Sequence, residues 1–258
     1  EPIRMTLQPA QLTQTWLFLS PHLDDAVLSC GGMIYDLVQS GAKVQIITIC
    51  AGDPAPGPLP PFAASLHQRW QTGREASLVR RQEDIASCRC IHAQPIHLAF
   101  QDCIYRFLPD GSPLILENEA LFGPLNPAES GLVDAVSEEI KRHIPAGAGI
   151  VTPLSLGGHV DHRLVRAAAE SLGQPLFYYA DYPYAEQITP PAGSLINPDW
   201  QRIPLPVSAQ GLQAWQQAVA EHRSQISTFW GSLADMQEKI RQYCQAGGGG
   251  SLWYSAAG

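Results

Sequence analysis

Trp16-Leu17-Phe18-Leu19-Ser20-Pro21-His22-Leu23-Asp24-Asp25-Ala26-Val27-Leu28-Ser29-Cys30-Gly31-Gly32 is the stretch from which both the fold and the chemistry of this chain are read. Trp16 to Leu19 is a short apolar run, the pattern of a strand buried on both faces. Pro21 interrupts it, and the residues from Asp25 onward read as the start of a helix. In an open α/β sheet, ligands bind where strand gives way to helix, at the carboxyl edge. The stretch sets His22, Asp24 and Asp25 at that edge. Alone, either aspartate would be a helix N-cap and His22 a surface histidine. His-x-Asp-Asp at a strand end, with a second histidine-rich turn downstream, points instead to a metal site.

That second turn is Gly157-Gly158-His159-Val160-Asp161-His162. It follows the apolar run Gly149–Pro153 and opens a helical stretch, Arg163–Leu172. His159 and His162 stand three apart, so on a helical turn they share a face. Together the two clusters supply three N/O ligands, an open position for water and a spare carboxylate, which is what a catalytic zinc requires.

With both motifs in view, Pro-His-x-Asp-Asp and His-x-Asp-His resemble the PIG-L/LmbE-like family of zinc-dependent N-deacetylases, which act on N-acetylglucosamine-type substrates. The resemblance covers most of residues 14–180. It implies His22, Asp25 and His162 as zinc ligands and Asp24 as general base. His159, in its protonated form, would donate to the tetrahedral oxyanion, held in place by Asp161. The family's first motif usually reads Ala-His-Pro-Asp-Asp-Glu; Leu23 stands here for the proline and Ala26 for the glutamate. The ligand and base positions are retained. The family's Arg-x-x-Glu signature is matched by Arg80 and Glu83, with the arginine reaching a substrate hydroxyl or phosphate. Asp102 matches an aspartate that contacts sugar hydroxyls, and a carboxylate can accept from two of them. A turn-capping role is its plainer reading. Zinc is the cofactor expected, although Fe(II), Co(II) and Ni(II) also suit imidazole and carboxylate.

Working outward, Val27–Ser40 reads as a helix closed by Gly41, and Lys43–Cys50 as a buried strand. Strand, helix, strand is a βαβ unit, so the expected fold is α/β: a Rossmann-like, mostly parallel sheet with flanking helices and the metal site at the carboxyl edge of the strands. Residues 51–62 are proline-rich and read as a loop on the functional edge. A helix over Gln71–Ile91, a strand over Ile96–Phe100 and a lid-like loop over Leu108–Ser130 follow. Tyr105 and Arg106 would extend the substrate contact made by Asp102. Gly131–Ile144 is an amphipathic helix, and Leu176–Tyr179 a further strand with Asp181-Tyr-Pro-Tyr184 at its edge. Residues 185–210 read as irregular. Ala209–Ile226 and Ser232–Cys244 are helical, and the Ser224-Gln225 element is assigned to structure. The glycine run 247–250 reads as flexible, with Leu252-Trp-Tyr254 folding back onto the body.

At 258 residues the chain suits one domain, with a core of about 14–180 and a C-terminal extension of about 181–258. A formal charge of −8 argues against nucleic acid and anionic lipid as partners. No apolar run reaches the ~20 residues of a membrane span. Residues 1–15 show no signal-peptide core, and the six cysteines read as reduced thiols of a cytoplasmic enzyme. The expected partner is a small amino-sugar-type substrate, with room left for a homo-oligomer. The first helical turn lacks Gly-x-Gly-x-x-Gly, which excludes a dinucleotide-binding module. Two other readings stand beside the deacetylase: an amidase acting on a larger N-acyl or thiol conjugate, and an inactive interaction protein of the same fold.

Overall fold

The computed structural model describes residues 13–187 and 196–255. The absence of a leader core in residues 1–15 and the irregular reading of 188–195 therefore fall largely outside the described residues. Among the described residues, no helix is long and apolar enough to cross a membrane.

Among the described residues, seven strands form one sheet: β1 (Thr15–Ser20), β2 (Lys43–Thr48), β3 (Gln94–His97), β4 (Gly149–Pro153), β5 (Leu176–Tyr179), β6 (Gln201–Pro204) and β7 (Ser251–Ser255), in the order β3-β2-β1-β4-β5-β7-β6. The first five run parallel, and β7 pairs antiparallel with both β5 and β6. The apolar run read from the sequence is the central strand. Trp16 and Phe18 enter one hydrophobic layer, Leu17 and Leu19 the other, as the two-residue period of a strand requires. The first layer is closed by α1 (Asp25–Gln39), α3 (Ala76–Cys90), α7 (Ala209–Glu221) and α9 (Leu233–Gln245). The second is closed by α4 (Ser130–His143) and α5 (Val160–Glu170).

Three expectations are corrected. Residues 61 and 62, read as the end of a loop, instead open α2 (Pro61–Trp70). Pro61 sits at its first turn, where the missing N–H costs nothing. The irregular stretch contains a one-turn α6 (Tyr184–Gln187) and the edge strand β6. The glycine run is a packed turn: a Cβ on Gly248 would lie 2.3 Å from the Tyr243 ring, so only glycine lets the backbone approach there. It delivers β7 between β5 and β6, and residues 201–204 and 251–255 thereby complete the same sheet that the N-terminal residues begin.

The order β3-β2-β1-β4-β5 reverses direction at β1 and β4. A crevice opens at such a switch point, beyond the carboxyl ends of the two strands. The two motifs follow these two strands.

Candidate metal centre and its cavity

At the end of β1, Ser20 makes the turn. Its Oγ accepts the Ala26 N–H (3.0 Å) and donates to the His22 carbonyl (2.6 Å). Asp24 occupies the N-cap position of α1 but its side chain caps nothing, so the N-cap reading of that residue is excluded. Asp24 lines a cavity of about 250 Å³ together with His22, Asp25, Arg80, Asp102 and His159.

Asp25 Oδ2 is the point on which the site converges. It accepts from the His22 main-chain N–H (2.8 Å) and lies 3.1 Å from His22 Nδ1 and 3.3 Å from His162 Nε2. The other nitrogen of each ring is held by a second carboxylate. His22 Nε2 is 2.9 Å from Asp161 Oδ2, and His162 Nδ1 is 2.6 Å from Asp181 Oδ1. One donor atom each of His22, His159 and His162 lie within 4.8 Å of one another. Two imidazoles and a carboxylate meeting at one point, each imidazole backed by a second carboxylate, make a donor set of the kind that could hold a divalent cation.

The charges agree with this. Burial alone would push the His22 and His162 imidazoles down, but the carboxylates around them win: Asp102, Asp161 and Asp25 hold His22 well above its usual value, and Asp25 and Asp181 raise His162 to about 10. Against burial, His162 and His22 hold Asp25 well below the carboxylate range. Protons on two imidazoles thus occupy the place that a divalent cation would take. Asp24 behaves in the opposite sense. Burial lifts it to about 6, against the pull of Arg80, whose Nη2 is 3.5 Å from Asp24 Oδ1.

His159 departs from expectation in its protonation. Burial and the neighbouring His22 and His162 push it well down, so the ring is neutral. Its Nδ1 accepts the Asp161 main-chain N–H (3.2 Å), which leaves the proton on Nε2. Asp161 therefore steadies His159 through its backbone. Its carboxylate instead serves His22, the Cys103 N–H (2.9 Å) and Arg106 Nη2 (2.7 Å).

Arg80 and Asp102 both reach the cavity. The guanidinium lies over Trp70, 5.0 Å from the ring centroid, and Nη1 is 3.9 Å from Asp102 Oδ2. Asp102 does cap a turn, accepting from Ile104 N–H (3.1 Å) through Oδ1, while Oδ2 faces Arg80 and His22. Glu83 points away, binding Ser224 N–H (2.8 Å) and Oγ (2.6 Å) at the start of α8 (Arg223–Phe229). Tyr105 and Arg106, expected to extend the contact made by Asp102, do not line the cavity. Tyr105 Oη pairs with His67 Nε2 (2.6 Å), and Arg106 turns behind the cavity to Asp161.

Four contributors escaped the sequence reading. Asp181 supports His162; its one signal was its place just past β5. Ser20 replaces Asp24 as the helix cap. Gln225 lines the cavity although its element was assigned to structure, and Phe122, in the loop over residues 108–130, places its ring 5.8 Å from that of His159. Of the edge aromatics, Tyr184 lines the cavity, whereas Tyr182 is buried against Trp230 and Tyr243.

A profile of the family described as PIG-L, GlcNAc-PI de-N-acetylase, matches residues 17–172. A 2'-N-acetylparomamine deacetylase from Niallia circulans is 26% identical over 238 residues, covering 86% of this chain and 84% of its own. Its namesake from Streptomyces fradiae is 32% identical over 177 residues, covering 66% of this chain and 58% of its own. Among solved structures, the zinc-inhibited form of teicoplanin deacetylase Orf2 is 32% identical, with a TM-score of 0.79 over 95% of this chain and 98% of that one.

Proposed function

Since the chain belongs to the PIG-L family of de-N-acetylases, we propose that it hydrolyses the acetamide of an N-acetylglucosamine-type substrate, using a divalent metal, zinc foremost, held by His22, Asp25 and His162. The observation that carries this reading is the shared oxygen of Asp25, 3.1 Å from His22 Nδ1 and 3.3 Å from His162 Nε2. Relatives named as deacetylases of 2'-N-acetylparomamine and of teicoplanin support the acetyl-amide chemistry.

The chemistry a bound divalent cation supplies here is Lewis-acid polarisation of a water and of the acetyl carbonyl. The chain's own groups manage the protons. Asp24, lifted to about 6, is ionised at neutral pH yet basic enough to take a proton from the attacking water. The same carboxyl returns that proton to the departing nitrogen, so that acetate and a free amine leave. His159 donates its Nε2–H to the carbonyl oxygen as that atom gains negative charge. One such donor is typically worth about 10²–10³ in turnover. Arg80 keeps Asp24 from turning neutral and, with Asp102, offers a donor and an acceptor to ring hydroxyls. Leu66, Trp70 and Phe122 supply apolar walls.

Three variants separate these roles in one assay of metal content and turnover. Asp25→Ala loses metal and activity together. Asp24→Asn retains metal while turnover falls by about 10²–10⁴. Asp102→Ala retains metal, and its activity falls on an acetylated amino sugar more than on a small acyl amide with no ring. Loss of metal in Asp24→Asn would refute the division between base and ligand. Equal loss on both substrates in Asp102→Ala would favour an amidase that does not read a sugar.

A further inference from the structure

We propose that Arg106 is a positioning residue for His22: by holding Asp161 Oδ1, it keeps Asp161 Oδ2 on His22 Nε2 and so presents His22 Nδ1 toward Asp25 and His162. The inference rests on the ligand set proposed above and extends it to a residue outside the cavity.

The Asp161 side chain is fully buried, and its two oxygens are divided without overlap. Oδ1 receives Arg106 Nη2 (2.7 Å); Oδ2 receives His22 Nε2 (2.9 Å) and Cys103 N–H (2.9 Å). Arg106 is fixed on its other sides. Its Nε donates to Glu129 Oε1 (2.6 Å), Nη2 also reaches Glu129 Oε2 (3.4 Å), and Nη1 donates to the Gln101 carbonyl (2.8 Å). A planar fork held at three acceptors has no freedom to turn, so the carboxylate it grips has none either.

Without Arg106, the buried Asp161 carboxylate would lose the charged donor on Oδ1, a loss that costs more for a charged group than for a neutral one. The terminal torsion of an aspartate is broad, so the carboxylate would rotate to seek another donor. That rotation takes Oδ2 off Nε2 and frees the imidazole of His22. Outer partners of this kind typically set 10–100-fold in metal affinity. Arg106 also touches both ends of the loop over residues 108–130, the first through its main chain and the second through its guanidinium on Glu129. The Arg106 carbonyl accepts from Leu114 N–H (2.9 Å), Glu129 opens α4, and between them Phe122 bridges to His159.

The test is the Zn²⁺ dissociation constant of the full chain, measured by competition with a chromogenic chelator, beside KM at saturating Zn²⁺ for an acetylated amino sugar. Arg106→Gln is expected to weaken Zn²⁺ binding by about 10–100-fold with KM little changed. Arg106→Lys keeps the charge without the fork and is expected to recover part of the loss, which keeps the test informative if Arg106→Gln folds poorly. Glu129→Gln leaves the contact with Asp161 in place and is expected to cost less than Arg106→Gln. Wild-type Zn²⁺ affinity in Arg106→Gln would overturn the inference. So would KM rising in step with the dissociation constant and no recovery in Arg106→Lys, since that pattern is general damage. A wild-type chain that takes up no Zn²⁺ would fail at the earlier step, the ligand set itself.

Discussion

Ser20 does for α1 what an N-cap aspartate normally does, and this leaves the Asp24 carboxylate for chemistry. The two aspartates that follow are adjacent in sequence and opposite in state. Asp25 is held ionised by two imidazoles, while burial raises Asp24 to about 6. A pH prediction follows from His162, raised to about 10. Its unfolded value is about 6.5. A histidine whose folded pKa is raised stabilises the metal-free protein fully below the unfolded value, and that contribution is lost as pH rises through the folded one. Metal must displace this proton, so metal uptake becomes easier as pH rises from 6.5 toward 10. The thermal upshift produced by a fixed Zn²⁺ excess should therefore grow between pH 6.5 and pH 8. An upshift of constant size across that range would remove His162 from the ligand set.

At the scale of elements, helix packing was less legible than helix existence. The periodic stretches that became α1, α3, α4, α5 and α7 were readable because an amphipathic stripe survives in one dimension. α2 was not, since Pro60-Pro61 reads as a breaker until the second proline is seen at the first turn. Gly31 sits in mid-α1, where glycine is a poor helix residue. The reason lies across the interface: a Cβ there would be 2.5 Å from Trp215 of α7, which is fully buried. Gly31→Ala gains about 1 kcal/mol of helix propensity. It also forces Trp215 aside in a packed layer, and overpacking of this sort costs about 1–3 kcal/mol. The expected net effect is a lower urea midpoint with an unchanged slope. A higher midpoint would mean that Trp215 yields without strain.

For the molecule as a whole, residues 201–204 and 251–255, far beyond the two motifs, are part of the sheet. β7 stands between β5 and β6, and Trp215, Met236 and Ile240 close the layer over β1. Ending the chain at Gln245 should therefore unpair one edge of β5 and strip β6 of its partner. Exposed edges of that kind aggregate, so the truncated chain should be insoluble or lose cooperative unfolding. A soluble, cooperative, metal-binding product would show those residues to be dispensable. The central strand, the mostly parallel α/β order and the two motifs at its carboxyl edge are legible along the chain, because apolar runs, helical periodicity and turn residues are local patterns. That Asp161 serves His22, that Asp181 stands behind His162, that Arg106 lies outside the cavity and that the glycine run is a packed turn emerge from the folded chain alone. Each of these depends on which side chains meet across elements far apart in the chain, and on how burial divides charge among them, and neither leaves a trace in spacing.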